Sequence, residues 1–357
     1  MKNVTTREIV IPQLTDPEGL VVRERAIPAL AADEVLIAME ATGVSYAEVQ
    51  MIRGKYPGQP AFPFVPGYDV VGRVAAVGSG VDRALEGKRV ATITETGSWA
   101  EHVVRRAHEL VVVPEGLDPA EVDTLIVNGV TAYKMLHRTA KVRPGQTIVV
   151  HGAGGGVGTV LVQLARLAGV NVIGTCRPAQ REEVEAMGAT FVDYTRNQVP
   201  EDVRALAPAG VDAVFDHVGG DSFRTSYAML RPGGFMVAFG NASLARGTGS
   251  QWAAFAGFFL RKALWSFKPG GRRMTFFDIW GRGTFGADRI FRPTRFWREL
   301  REDMERLMDL LATGKLKANV AHRIPLLRAG EAIAQHQAGG FVGKIVLEGP
   351  GLAAHAT

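Results

Sequence analysis

The chain has 357 residues, 46% of them hydrophobic and 22% charged, with a formal net charge of +5. That is the balance of a globular chain long enough for two domains with cores of their own. A single cysteine, Cys176, excludes an intramolecular disulfide framework and any cysteine-rich zinc site, and points to a reducing, cytoplasmic setting. The opening MKNVTTREIVIPQL lacks the charged-then-apolar pattern of a signal peptide. The longest apolar run, Trp252 to Leu260, is too short to span a bilayer, so no transmembrane segment is expected.

Residues 1 to 120 carry short strand-like runs punctuated by Gly and Pro: Glu8 to Ile11, Leu20 to Glu24, Glu34 to Ala41, Asp69 to Val77, Arg89 to Thr94, His102 to Arg105 and Leu110 to Val113. Many short strands with few helical patterns predict a compact, barrel-like β unit. One helix starts near Tyr46, where Ser45 followed three residues later by Glu48 reads as a capping box. Pro57, Pro60, Pro63 and Pro66 preclude regular structure in the next stretch, and a proline-stiffened loop beside a β unit often lines a site.

From Pro119 the pattern turns helical, over Ala120 to Ile126 and Val130 to Ala140. Residues 146 to 181 then form the centre of the chain. Gln146 to His151 is a β-branched run suited to a buried parallel strand. Gly152, Gly154, Gly155, Gly156 and Gly158 crowd one turn; Val160, Leu161, Leu164 and Leu167 make a helical stripe; and Val170 to Gly174 supplies a second strand. This is a βαβ unit whose helix N-terminus presents bare N–H groups to an anion, with a pyrophosphate as the expected guest. The spacing Gly152-x-x-Gly155-x-x-Gly158 departs from the strict dinucleotide fingerprint, yet it still clears side chains from the tight turn, the phosphate approach and the helix–strand contact.

A helix near Gln180 to Met187, strands at Phe191, Val211 to Phe215 and Phe235 to Phe239, and a helix near Phe223 to Leu230 complete a doubly wound α/β parallel sheet. His151, at a strand end, reads as a structural hydrogen-bonder, and Asp216 and His217 as a local structural pair. Residues 251 to 300 differ from the rest: they hold thirteen of the 28 aromatic residues and ten Lys or Arg against three acids. So local a charge argues against a nucleic-acid groove over the whole protein and for a patch that meets an anionic group, a partner or a membrane surface. Met274 to Ile279 is patterned as one more strand and Arg295 to Ala312 as a long helix. Beyond residue 318 β patterning returns at Arg323 to Leu327 and Lys344 to Leu347, around a short helix at Ala329 to Gln337, and the closing GLAAHAT reads as frayed.

These motifs in this order resemble a zinc-free medium-chain dehydrogenase/reductase of the quinone-oxidoreductase-like branch. The resemblance runs through MIRGKYPGQPAFPFVPGYDVVGRVAAVGSGV near residue 60, NGVTAY at 128, HGAGGGVG at 151, DHVGG at 216, FGNAS at 239 and GKIVL at 343. It implies a Rossmann doubly wound sheet inserted into a GroES-like β-barrel-type domain. The GroES-like catalytic domain would comprise residues 1–122 plus 314–357, and the NADP-binding domain residues 123–313, with an aromatic and basic insertion at about 245–300. Zinc members carry a catalytic Cys and His; here the Gly-His-Glu position reads Gly67-Tyr68-Asp69, so metal-assisted alcohol oxidation is not expected.

The resemblance implies that Gly152, Gly155, Gly156, Val157 and Gly158 bind the cofactor, that Asn128 and Thr131 lie near the nicotinamide, and that Gly240 and Asn241 form the turn passing over it. Lys344 falls in the terminal Gly-Lys motif near the cofactor, with a snorkelling surface lysine as the alternative. A carboxylate at the end of the second strand would bind the ribose of NAD, whereas this chain has Thr175-Cys176-Arg177. Arg177, Arg181 and Tyr194 then read as a site for the 2′-phosphate of NADPH, or the arginines as solvated helix-start residues.

Metal-free hydride transfer from NADPH requires an acceptor that can spread or protonate the developing charge: an enone, a quinone or an enoyl thioester. The expected partner is therefore a small apolar unsaturated carbonyl compound, free or carrier-linked. Tyr56 falls where related 2-enoyl thioester reductases have a catalytic tyrosine and is the candidate proton donor; packing against the proline loop is its alternative. Quinone-reductase relatives have an Asn-x-x-Asp pair where this chain has Ser45 and Glu48, and Tyr46 and Tyr68 are candidates for holding the substrate carbonyl. The 251–300 segment admits three readings: a substrate lid, a peripheral membrane contact, or an enlarged homodimer interface. An NADPH-binding regulatory or membrane-associated protein with little turnover is the alternative function.

Overall fold

A β-branched run places its side chains on a pleated sheet, and the longest of those here, β3 (Glu34–Val44), is nearly continuously buried, with Val35 and Ile37 wholly inaccessible. The computed structural model describes residues 5–56, 58–242, 251–266, 270–281 and 293–350. By its contacts the chain divides into one unit of Met1–Asn128, Trp297–Gly339 and Gly343–Thr357 and another of Gly129–Phe296 and Gly340–Val342.

In the first unit β3 is the spine. It pairs antiparallel with β4 (Asp69–Val77), β6 (His102–Arg106) and β15 (Lys344–Glu348), and β5 (Arg89–Ile93) and β7 (Val111–Val112) extend the sheet beyond β4. β14 (Val320–Pro325) lies parallel to β15. The register Ile345↔Val44 shows that both ends of the chain build one sheet. Irregularities at Leu36/Ile37 and Met39/Ala41 in the β3–β4 ladder are the kind that increase local twist and bend a sheet. β1 (Thr5–Val10) and β2 (Val21–Ala26) form a separate antiparallel ribbon. The unit also carries α1 (Tyr46–Met51) and α2 (Pro119–Thr124).

The second unit is a parallel sheet in the order β10-β9-β8-β11-β12-β13. The chain starts at β8 (Thr147–His151), winds outward through β9 (Asn171–Cys176) and β10 (Ala189–Asp193), then returns to β11 (Val211–Asp216), β12 (Leu230–Ala238) and β13 (Arg273–Phe276). That reversal puts a topological switch point between β8 and β11, where ligands of open α/β sheets bind beyond the strand C-termini. Val149, Ile173, Val214 and Met236 fill one core with Phe223, Tyr227 and Phe258.

The doubly wound sheet is thus as expected, with local differences. A π-helical turn, Leu125–Gly129, separates α2 from α3 (Val130–Tyr133), and a second, Lys134–Ala140, follows. After α4 (Gly156–Leu167) and α5 (Arg181–Ala186) comes an unanticipated crossover helix, α6 (Val199–Leu206), followed by α7 (Ser222–Met229). β13 ends three residues short of Ile279. The Trp252 to Leu260 run lies in a helix, α8 (Gln251–Ser266), and the long helix α9 is Pro293–Ala312, with α10 at Ala329–Ala338. Pro57, residues 243–250, 267–269 and 282–292 of the aromatic and basic stretch, the Trp252 side chain and the C-terminal GLAAHAT lie outside the described residues.

Candidate functional site

The glycine turn follows β8. Gly152 has φ +67, and a Cβ there would come within 2.4 Å of His217 Cε1. At Gly158 a Cβ would lie 2.2 Å from the Gly152 carbonyl oxygen, so the first turn of α4 closes on the glycine turn only without a side chain. The N-cap Gly155 is extended and no side chain caps the helix; Thr159 N–H donates to Gly155 O at 2.9 Å as its first rung. The first-turn amides of Gly156, Val157 and Gly158 are thereby left for a ligand, and the dipole favours an anion there. At the adjoining strand ends, a Cβ on Gly240 would sit 3.1 Å from His217 Cβ, and one on Gly219 only 2.0 Å from Asn241 Oδ1. Gly152, His217, Gly219, Gly240 and Asn241 therefore come together at the carboxyl ends of the β-strands.

β9 ends in Thr175 and Cys176, with no acid. Cys176 is 1% exposed, and burial pushes its thiol up to about 11, which makes it an inert packing residue. The neighbouring strand ends in Asp193, paired with Cys176, but its Oδ1 accepts from the Thr195 N–H and hydroxyl at 2.8 and 2.6 Å. Arg177 Nε donates to Tyr194 Oη at 2.9 Å, and both side chains are exposed. Arg181 differs: its Nε donates to Glu185 at 3.1 Å and its guanidinium lies 5.2 Å from the Phe191 ring centroid, so part of its fork is committed within α5. Asn128 and Thr131, each 7% exposed, flank the junction between the first π-helical turn and α3. Such turns frequently mark functional sites.

In the first unit, Ser45 caps α1. Its hydroxyl accepts from Ala47 N–H at 3.3 Å and contacts Glu48 Oε2, which also accepts Ser45 N–H at 2.8 Å. The capping box is therefore real, but Glu48 is wholly buried and its Oε1 has no hydrogen-bond partner among the described residues. Burial, with a smaller contribution from Asp69, pushes its carboxyl up to about 7 against the hydrogen bonds from Ser45. Tyr46 is half-buried with its ring 6.3 Å from that of His336, an imidazole that burial lowers to about 4. Tyr56, half-buried, meets Tyr68 edge-on at 5.6 Å.

Lys344 overturns the snorkelling alternative. It is 4% exposed, with Nζ 2.6 Å from Asp69 Oδ2, 2.8 Å from Asp123 Oδ2 and 3.0 Å from the Asp123 carbonyl oxygen. Two of those contacts, to Asp69 Oδ2 and the Asp123 carbonyl oxygen, are hydrogen bonds, and the third is an ion pair, all inside the first unit. Gly43 makes room for it, since a Cβ there would meet Lys344 Cε at 1.9 Å. Burial opposes the ammonium, but Asp123 and Asp69 outweigh it and hold Lys344 above its ordinary value. One ammonium cannot neutralise two carboxylates, and burial, with the charge of Asp69, pushes the Asp123 carboxyl well above its ordinary value. Sequence reading named Asp69 only as part of the Gly67-Tyr68-Asp69 motif and passed over Asp123. The signal for a buried charge was an acid set among apolar residues, in YDVV and EVDTL.

Two families match: the alcohol dehydrogenase GroES-like domain over residues 31–115 and the zinc-binding dehydrogenase family over residues 156–262. A Danio rerio protein named synaptic vesicle membrane protein VAT-1 homolog is 30% identical over 325 residues, 90% of this chain and 65% of that protein, so the chain spans somewhat under two thirds of that relative. A Pseudomonas syringae quinone oxidoreductase structure is 27% identical with TM-score 0.80, covering 96% of this chain and 99% of that one. A mycobacterial protein solved with NADPH is 29% identical with TM-score 0.79, again covering 96% and 99%. The zinc named in the second family's description finds no fitting donors: among the described residues no three His, Cys, Asp or Glu side chains gather to hold a metal, and Asp69 and Asp123 are already engaged by Lys344. With both domains matched and a full-length structural likeness to a quinone oxidoreductase, the chain belongs to the medium-chain dehydrogenase/reductase family, in its quinone-oxidoreductase-like branch.

Proposed function

We propose that this oxidoreductase uses NADPH to reduce an activated C=C bond, in an enone, a quinone or an enoyl thioester, without a metal. The observation that carries the cofactor choice is the acid-free end of β9 beside the Arg177–Tyr194 pair, in the unit whose α4 start is uncapped. A guanidinium fork steadied by a phenol suits a 2′-phosphate dianion, and the amides of Gly156, Val157 and Gly158 suit the pyrophosphate. When bound, NADPH supplies the hydride. Asn128, Thr131, Gly240 and Asn241 are assigned to the nicotinamide end. Lys344, with its donors engaged by Asp69 and Asp123, supports the β unit and is not assigned to the cofactor.

The proton that completes the reduction is assigned to Tyr56 or Ser45, with Tyr46 orienting the carbonyl. Ser45 stands on a carboxyl, Glu48, that burial keeps largely protonated up to about pH 7. Stopped-flow mixing of the NADPH complex with a panel of enones, quinones and enoyl thioesters tests the reading: absorbance at the reduced nicotinamide band should fall with at least one acceptor, and more slowly in Tyr56→Phe or Ser45→Ala. If every acceptor leaves the wild-type complex reduced, the reductase reading is wrong.

The second reading, an NADPH-binding protein with little turnover that meets a membrane surface, draws on the exposed Leu260 and Leu264 of α8 beside Arg261 and Lys262, and on the name of the VAT-1 relative. No helix among the described residues is long and apolar enough to cross a membrane. Co-sedimentation with anionic liposomes supports a surface contact; absence of charge-dependent binding removes it. A homodimer is assigned to β13, which sits at the end of the sheet order, and sedimentation velocity reads it directly.

A further inference from the structure

A buried hydrogen-bond chain runs from α7 to the glycine turn. Asp216, wholly buried, receives Val218 N–H at 2.7 Å and Gly219 N–H at 3.3 Å on Oδ1, and the hydroxyls of Ser222 and Ser226, each at 2.7 Å, on Oδ2. With its one proton directed to Asp216, Ser226 Oγ acts as acceptor towards His151 Nε2, 3.0 Å away. A neutral imidazole has one N–H. Nδ1 is therefore bare and accepts from the Thr175 hydroxyl at 3.2 Å, and Thr175 Oγ1 in turn accepts Gly152 N–H at 3.3 Å. The next amide, Ala153 N–H, donates to the Thr175 carbonyl at 2.9 Å.

Every donor in this chain is thus forced, and the direction is single: Gly152 to Thr175 to His151 to Ser226 to Asp216. The register makes it local, because His151 and Thr175 are partners across the β8–β9 ladder and their side chains share a face of the sheet. Burial lowers the imidazole from its ordinary value, against a smaller opposing effect of Asp216, so His151 is neutral at pH 7 as the chain requires.

We propose that Thr175, oriented by His151 and Ser226, is the positioning residue that holds the His151–Gly152 peptide at the start of the turn in its anion-receiving conformation, so that this chain presets affinity for the dinucleotide pyrophosphate. The inference rests on the reading of that turn as a dinucleotide cradle. It assigns His151 a role in binding without contact with the ligand.

NADPH fluorescence titration of the full-length protein tests it. Thr175→Val keeps the shape and removes the hydroxyl, and should weaken NADPH about tenfold, the order of one lost hydrogen bond. Thr175→Ser should restore nearly all of the affinity, and Ser226→Ala, one step further away, should cost about threefold. Hydrogen exchange at the Gly152 amide should quicken in Thr175→Val and not in Thr175→Ser, and the imidazole nitrogen resonances of wild-type His151 should report the Nε2–H tautomer. These last readouts need no activity, and the tautomer needs no variant to fold. Affinity unchanged in Thr175→Val and Ser226→Ala, or an Nδ1–H tautomer, overturns the chain alone. A wild-type protein that binds no nicotinamide dinucleotide overturns the cradle with it.

Discussion

At the scale of single residues, the side chains that decide chemistry are those whose surroundings change their ordinary behaviour. Arg177 stands out in the sequence because an arginine takes the place of an acid at a strand end, and in the structure it donates to Tyr194. Arg177→Ala should weaken NADPH by tenfold or more, as charge-assisted hydrogen bonds contribute about 1.5–3 kcal/mol, while leaving NADH nearly unchanged; paired titrations with the two cofactors measure this. Glu48 was legible only as a capping residue. Spacing cannot show that the side chain is enclosed, and enclosure raises its carboxyl to about 7. Since the folded state holds that proton more tightly than the unfolded one, stability should be full below about pH 4.5, fall as pH rises, and level off above about pH 7. The total is about 3 kcal/mol. Glu48→Gln keeps the capping acceptor and removes the ionisation, so urea unfolding should show it more stable than wild type at pH 8 and no better at pH 4.

At the scale of elements, periodicity and turn residues located nearly every strand, because β-branched runs bounded by Gly and Pro have few alternatives. The crossover helix α6 escaped although Val199, Val203 and Leu206 fall at helical spacing: at eight residues with Pro200 in its first turn it is short, and only Val203 is fully buried. The π-helical turns escaped as well, since one extra residue in a turn leaves no mark in a hydrophobic pattern. The glycine turn was legible as a cradle, and the structure separates its glycines. Gly158 is required by contact: with a Cβ 2.2 Å from a backbone carbonyl, Gly158→Ala should displace the start of α4 and reduce NADPH binding by at least tenfold in a fluorescence titration. Gly155, whose Cβ would meet only the Gly152 oxygen at 3.3 Å, should tolerate alanine with a smaller loss.

At the scale of the whole chain, the first unit is closed by charge as well as by strand pairing. Lys344 from the C-terminal part reaches Asp69 on β4 and Asp123 on α2 in a setting that excludes water. Lys344→Met would leave the carboxyls without their cation, and chemical denaturation should report a loss of about 3–5 kcal/mol, the usual result of removing one member of a buried ion pair. A surface lysine would change stability by no more than about 0.5 kcal/mol. By itself the sequence determined the β, α/β, β order, the position of the glycine turn and the acid-free end of β9, because strands, helices and turns are specified by neighbours a few residues apart. Only the tertiary structure decided the raised carboxyls of Glu48 and Asp123, the burial of Lys344 and the chain from Asp216 to Gly152. Those depend on burial and on partners up to 275 positions away, which local pattern does not encode.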